Sequence, residues 1–166
     1  MKRMILLAGC LLFAGGFHAI AQKKKAVVAP SNEPLKTATL ASLESSYPAY
    51  KNIALQIWDN AELGYKEVKI SALLQETLKK EGFTVEAGVA GIPTAFVATY
   101  GSGQPVIGIL AEFDALPGLA QQAVPEKKTI EGKAGGHACG HHLFGAASVA
   151  AGVSIKKLIE EKKLKG

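Results

Sequence analysis

The chain has 166 residues, close to half of them hydrophobic and a fifth charged, with a net charge of +5. That composition supplies apolar surface for about one packed domain and excludes a wholly disordered chain. The basic residues lie scattered or at the two ends, not interleaved with aromatics, so nucleic acid is not an expected partner.

Residues 1–21 read as a secretory signal. Lys2 and Arg3 form the charged start, residues 5–17 an apolar run, and Ala19-Ile20-Ala21 a small-x-small cleavage pattern. The mature chain would begin near Gln22. The run is shorter than the ~20 residues that span a bilayer. A retained anchor and a lipoprotein signal at Leu7-Ala8-Gly9-Cys10 are the other readings of this stretch. The expected address is periplasmic or secreted, with no membrane association once the signal is gone. Loss of the leader removes Cys10 and leaves Cys139 as the one thiol, so no internal disulfide is expected. A lone thiol in an oxidising compartment needs burial or a task.

Residues 22–47 are polar, carry Pro30, Asn32 and Pro34, and read as a flexible lead-in. Residues 48–166 form the expected domain. Ile53, Leu55, Ile57 and Trp58 suit a buried helix over 48–63, with Pro48 in its first turn. Ile70, Leu73, Leu74 and Leu78 share one face of a second helix over 66–81, which Gly82 stops. A short strand at 83–86 follows. Strands at 94–100 and 106–110 flank Gly101-Ser102-Gly103-Gln104-Pro105, which reads as a hairpin turn. The 106–110 run is apolar almost throughout and suits a central strand covered on both faces. A loop over 118–134 leads to a small-residue helix over 142–163 that turns charged. This order of helices and strands is that of an α/β protein.

The chemistry concentrates in Gly135-Gly136-His137-Ala138-Cys139-Gly140-His141-His142. Thiolate and imidazole are good ligands for borderline-soft divalent ions such as zinc, and the glycines permit the tight backbone that close ligands need. The following helix would favour the thiolate through its amino terminus. A second constellation, Ala111-Glu112-Phe113-Asp114-Ala115-Leu116-Pro117, leaves the carboxyl end of the apolar strand, where α/β proteins place their sites. Asp114 is suited to orient a metal-bound histidine, and Glu112 points to the same side if the strand continues. The competing readings are a buried core cysteine, a Cys-His nucleophilic pair, a thiol redox role and a turn residue at Asp114.

At these residues the chain resembles the M20 metallopeptidase family, in its aminobenzoyl-glutamate hydrolase-like amidohydrolase branch. The resemblance rests on Ile57-Trp58-Asp59-Asn60-Ala61-Glu62-Leu63-Gly64, Gly82-Phe83-Thr84-Val85, Val89-Ala90-Gly91-Ile92-Pro93-Thr94-Ala95, Ile109-Leu110-Ala111-Glu112-Phe113-Asp114-Ala115-Leu116-Pro117-Gly118-Leu119 and Gly136-His137-Ala138-Cys139-Gly140-His141. It implies a zinc-peptidase-like catalytic domain with a mixed, mostly covered sheet, of which this chain is the amino-terminal part. It implies Cys139 and His141 as metal ligands and a catalytic, supporting role for Asp114. It further implies a two-metal zinc or manganese centre, a small amide or peptide-like substrate such as an N-acyl amino acid, and a homodimer in the full-length protein. In such relatives a Glu-Glu pair and later histidines complete the site. Glu160-Glu161 sits in a charged helix without the following glycine-rich loop and is not that pair. The fragment is expected to be inactive alone. The alternative function is an exported, non-enzymatic metal-binding or interaction module.

Overall fold

The computed structural model describes residues 31–166; the expected signal at 1–21 and the lead-in at 22–30 lie outside the described residues. Helix α1 (Glu33–Asn60) is followed by α2 (Val68–Lys80), strands β1 (Thr84–Ala87) and β2 (Phe96–Thr99), the short strands β3 (Leu116–Pro117) and β4 (Gly135–Gly136), and helix α3 (His141–Glu160). This mixture of helices with two small sheets is α/β.

Helix α1 differs from its expected extent. It begins at Glu33, with a proline at its first turn, and it carries Pro48 in its interior. The first-turn role expected of Pro48 thus falls to Pro34, whose missing N–H is one that a helix start leaves unpaired anyway. The helix takes in residues 33–47 of the expected lead-in. Pro48 stands where the outer, exposed stretch gives way to the half that buries Ile53, Ala54 and Ile57.

Helix α2 ends as its sequence suggests. The Phe83 N–H donates to the Leu78 carbonyl and the Gly82 N–H to the Lys79 carbonyl, with Gly82 at φ 87°. This paired closure needs a left-handed residue, which glycine adopts without a Cβ penalty. The turn delivers Phe83 onto the core and launches β1.

Strand pairing departs from the expected hairpin. Strand β2 pairs antiparallel with β1, Thr84 opposite Thr99 and Ala87 opposite Phe96, and not with residues 106–110. The 106–110 run forms no strand. A strand needs a hydrogen-bonding neighbour, and this run takes none, since β2 pairs with β1 along one edge while its other edge stays unpaired in a two-stranded sheet. The covered central strand is therefore absent among the described residues. The second sheet is β3 with β4, Leu116 opposite Gly136.

The core lies where the three helices meet. Ile53, Ala54 and Ile57 of α1, Ile70, Leu74 and Leu78 of α2, and Ala146, Val149 and Val153 of α3 form one cluster, with Phe83, Val85, Phe96 and Phe113 packed around it. Helix α3 is long and apolar enough to cross a membrane by length and composition. Its small-residue face, Gly145, Ala146, Val149, Ala150 and Val153, is instead buried.

Ile57 has no exposed surface, whereas Leu55, on the same helix, is half exposed. Ile57→Ala is expected to cost about 2–5 kcal/mol through the cavity it leaves, and Leu55→Ala no more than about 0.5 kcal/mol. Urea midpoints of the two variants test this. Equal shifts would show that the helix contact is not the core.

Candidate metal centre

Two backbone approaches bring the chemistry together. The Ala115 N–H donates to the Glu62 carbonyl at 2.8 Å, and Leu63 and Ala115 form a parallel bridge. This ties the stretch carrying Glu112 and Asp114 to the turn after α1. On its other side lies α3. A Cβ on Gly145 would stand 3.1 Å from the Phe113 Cβ and 3.3 Å from the Glu112 carbonyl, so glycine lets the helix close on this backbone. The Ser148 hydroxyl donates to the Leu110 carbonyl at 3.0 Å.

The β3–β4 pairing then sets the histidine segment. A Cβ on Gly136 would collide with the Leu119 carbonyl, and one on Gly135 would fall 2.6 Å from the carbonyl oxygen of Ala61. No side chain fits at either position. Gly140, at φ 83°, turns the chain into α3 and makes His141 its first residue.

His141 stands between two carboxylates. Its Nδ1 lies 2.8 Å from Asp114 Oδ1 and its Nε2 lies 3.1 Å from Glu112 Oε2. The imidazole is mostly buried, Asp114 is about a third exposed and Glu112 half exposed. One ligand atom from each residue falls within 4.8 Å of the others. A neutral imidazole has one N–H. If Nδ1–H donates to Asp114, the Nε2 lone pair faces the Glu112 oxygens, so two acceptors point at one position that a cation could occupy. The donor set fits a divalent ion. Two ligand atoms each ~2.0–2.1 Å from one tetrahedral ion sit roughly 3.3 Å apart, close to the observed separation, and oxygen and imidazole donors suit zinc or manganese.

The structure thus brings Asp114 and His141 together. It adds Glu112, which sequence periodicity placed only on the same side. Cys139 has a free, exposed thiol and is not a member of this three-residue group.

The other two histidines of the segment face inward. His137 is buried, and its Nε2 donates to the Ile57 carbonyl at 3.0 Å. His142 packs edge-on against Trp58 at 4.9 Å between ring centroids, with His137 at 5.2 Å from it. The Nδ1 atoms of both are buried without a partner. Burial lowers the pKa of both imidazoles. For His137 the Ile57 carbonyl opposes this and neighbouring His142 and His141 add to it. Glu160 and Glu161 are engaged elsewhere, with Lys156 and Lys163.

Several known hydrolases are similar to this chain in sequence. The chain is 41% identical over 121 residues to a subunit of the p-aminobenzoyl-glutamate hydrolase of Escherichia coli, a match covering 72% of the chain and 25% of that protein. It is 42% identical over 91 residues to thermostable carboxypeptidase 2 of Saccharolobus solfataricus, covering 54% of the chain and 22% of that protein. Hippurate hydrolase of Campylobacter jejuni is 33% identical over 92 residues, covering 55% of the chain and 24% of that protein. No family model matches the chain. The chain spans about a quarter of the length of these relatives.

The lowered pKa values of His137 and His142 carry a pH prediction. The unfolded chain takes up protons near the ordinary histidine value, about 6.5, before the folded chain does. Stability is therefore full above about pH 6.5 and falls as the pH drops below it. Denaturation midpoints at about pH 7.5 and about pH 5.5 check the sign. A midpoint that holds or rises on acidification would mean that these rings are not held neutral.

Proposed function

Because this chain belongs to the M20 metallopeptidase and amidohydrolase family, we propose that it contributes the first part of a metal site for hydrolysis of amide bonds. The observation that carries this is the convergence of Glu112, Asp114 and His141. The substrate we propose is an N-acyl amino acid or an aminobenzoyl-glutamate-like amide. The names of the relatives support this, since p-aminobenzoyl-glutamate and hippurate are both acyl groups joined to an amino acid through an amide. The fold we propose is the amino-terminal part of a zinc-peptidase-like catalytic domain.

His141 Nε2 and the Glu112 carboxylate would hold the ion, and Cys139, two residues from His141 on an exposed turn, would add a thiolate. Asp114 holds the proton of His141 on Nδ1 and leaves Nε2 free to ligate. A zinc or manganese ion there supplies a Lewis acid that polarises an amide carbonyl and eases the ionisation of water. The residues of this chain do the positioning: Asp114 fixes the tautomer, and the α3–Phe113 contact fixes the ring.

A second ion, a homodimer and export through a signal cleaved after Ala21 complete the proposal. The chain spans about a quarter of the relatives' length, and by itself we propose it to be inactive.

Calorimetric titration with zinc tests the ligand set. Asp114→Asn is expected to weaken binding about 10–100-fold, as for other residues that orient a metal-bound histidine. His141→Ala and Cys139→Ser each remove a ligand and are expected to weaken it at least as much. Unchanged affinity in His141→Ala would exclude this site. The activity is tested on a polypeptide of the relatives' length containing this sequence. It should cleave p-aminobenzoyl-glutamate and lose that activity to a chelator, while the 166-residue chain alone shows none. Turnover that survives chelation would refute the metal role.

A further inference from the structure

Among the described residues, Phe83, Phe96 and Phe113 pack against the core cluster. Phe144 does not: it is 38% exposed. A single exposed apolar side chain is ordinary on a surface. Phe144 is set apart by what it touches. Its ring meets the ring of His141 edge to face, with 6.4 Å between centroids and 64° between planes. Both residues stand at the start of α3, and positions three apart on a helix are neighbours on one face.

The placement of this ring is fixed from two sides. The Gly140 carbonyl accepts the N–H groups of Leu143 at 2.9 Å and Phe144 at 3.1 Å and so closes the first turn. The next residue, Gly145, lies against Phe113 and the Glu112 carbonyl, and a close-packed contact of this kind leaves the helix no room to turn about its axis. Asp114 and Glu112 face the two nitrogens of His141. Phe144 thus stands as an apolar wall beside a polar cluster, with part of its ring open to a ligand.

We propose that Phe144 is a specificity-determining residue, and that its open ring seats an aromatic acyl group of the substrate. The inference rests on the reading of His141 as part of an amide-hydrolysing site. In p-aminobenzoyl-glutamate and in hippurate, the compounds named in two relatives, a benzene ring is bonded directly to the amide carbonyl carbon. A site that acts on that carbonyl must hold the ring immediately beside it. Aromatic rings pair edge to face or offset, at centroid separations of about 4.5–7 Å. Phe144 already meets His141 in this way, and its open part offers the same contact to an incoming ring. The amino acid half of such a substrate carries carboxylate, which gains nothing from a phenyl surface. The acyl half is therefore the part assigned to Phe144.

Two substrates that share glycine and differ in the acyl group separate this role from a structural one. They are hippurate, with a benzoyl group, and N-acetylglycine, with a methyl in its place. On a polypeptide of the relatives' length containing this sequence, Phe144→Ala is expected to lower the ratio of kcat/KM for hippurate over N-acetylglycine about 10-fold, and Phe144→Tyr to keep it. Equal losses on both substrates, or an unmoved ratio, overturn the proposal. If Phe144→Ala does not fold, Phe144→Leu keeps apolar bulk without the ring and should lower the ratio about 2–10-fold, with an unmoved ratio again overturning it. A second readout needs neither turnover nor metal. In saturation-transfer NMR with the metal-free 166-residue chain, benzamide should receive saturation and acetamide should not, and Phe144→Leu should abolish the benzamide signal. A signal that persists in the variant, or is absent from the unaltered chain, overturns the proposal. Absence of turnover on both substrates sinks the hydrolase reading and this proposal with it, whereas intact turnover with an unmoved ratio sinks this proposal alone.

Discussion

The close approach of α3 to the backbone at Glu112–Phe113 is the constraint on which the rest of the structure depends. At Gly145 the helix comes so near that even a methyl group would press on the Phe113 Cβ. The consequence is felt in two directions. Towards the core, Ala146, Val149 and Val153 reach Ile53 and Ile57 of α1, and Phe113 stacks on Phe96. Towards the surface, the first turn of α3 is carried to the two carboxylates, and His141 meets both. A bulkier residue at 145 would move the helix as a body, because packed interiors transmit displacement. The core and the site are thus two ends of one contact.

The turn between α1 and α2 supplies the second wall, and it is held by carboxylates. Glu62 accepts the N–H groups of Lys69 and Ile70 at the start of α2, where a helix leaves its donors unpaired and favours negative charge. Glu67 is buried, yet it is satisfied by the Tyr65 N–H at 2.9 Å and the Thr94 hydroxyl at 2.7 Å. A buried carboxylate without such donors would be costly. These bonds hold Tyr65 in a left-handed conformation, φ 64°, which a non-glycine residue rarely adopts. The turn is rigid enough to offer the Glu62 carbonyl to Ala115 and to leave Gly64 beside Asp114, with a Cβ position 3.8 Å from its Oδ2.

Much of this was legible from the residues. The α2 stripe of Ile70, Leu74 and Leu78, its glycine stop and the small-residue face of α3 are local signals, and each element formed within a few residues of its expected bounds. What failed was of another kind. Apolar periodicity says that a segment will be covered, not by what. The 106–110 run carries the pattern of a covered strand, but the partner inferred from adjacency, residues 94–100, pairs with β1 through a register that only three-dimensional packing decides. Helix α1 starts upstream of the first turn that Pro48 suggests, because Pro34 suits a first turn equally well. Glu112 could be put on the right side of the chain, but its meeting with His141 depends on the helix approach at Gly145.

The histidine segment shows most clearly where composition stops being informative. His137, His141 and His142 have the same chemistry and stand within one short stretch, yet they have three different surroundings. His137 lies before the glycine turn and donates Nε2–H to Ile57, a carbonyl in the last turn of α1. Its remaining nitrogen is sealed inside. His141 and His142 are consecutive residues of a helix and so point about 100° apart. One rotation sends His141 to the carboxylates, and the next sends His142 to Trp58. The partner of a histidine's second nitrogen decides its role. A carbonyl at a helix end makes the ring a structural clasp, an indole makes it core, and a carboxylate such as Asp114 holds the proton on one nitrogen so that the other can bind. The glycine at 140 separates these outcomes, since the register of α3 is set by the residue at which the helix begins.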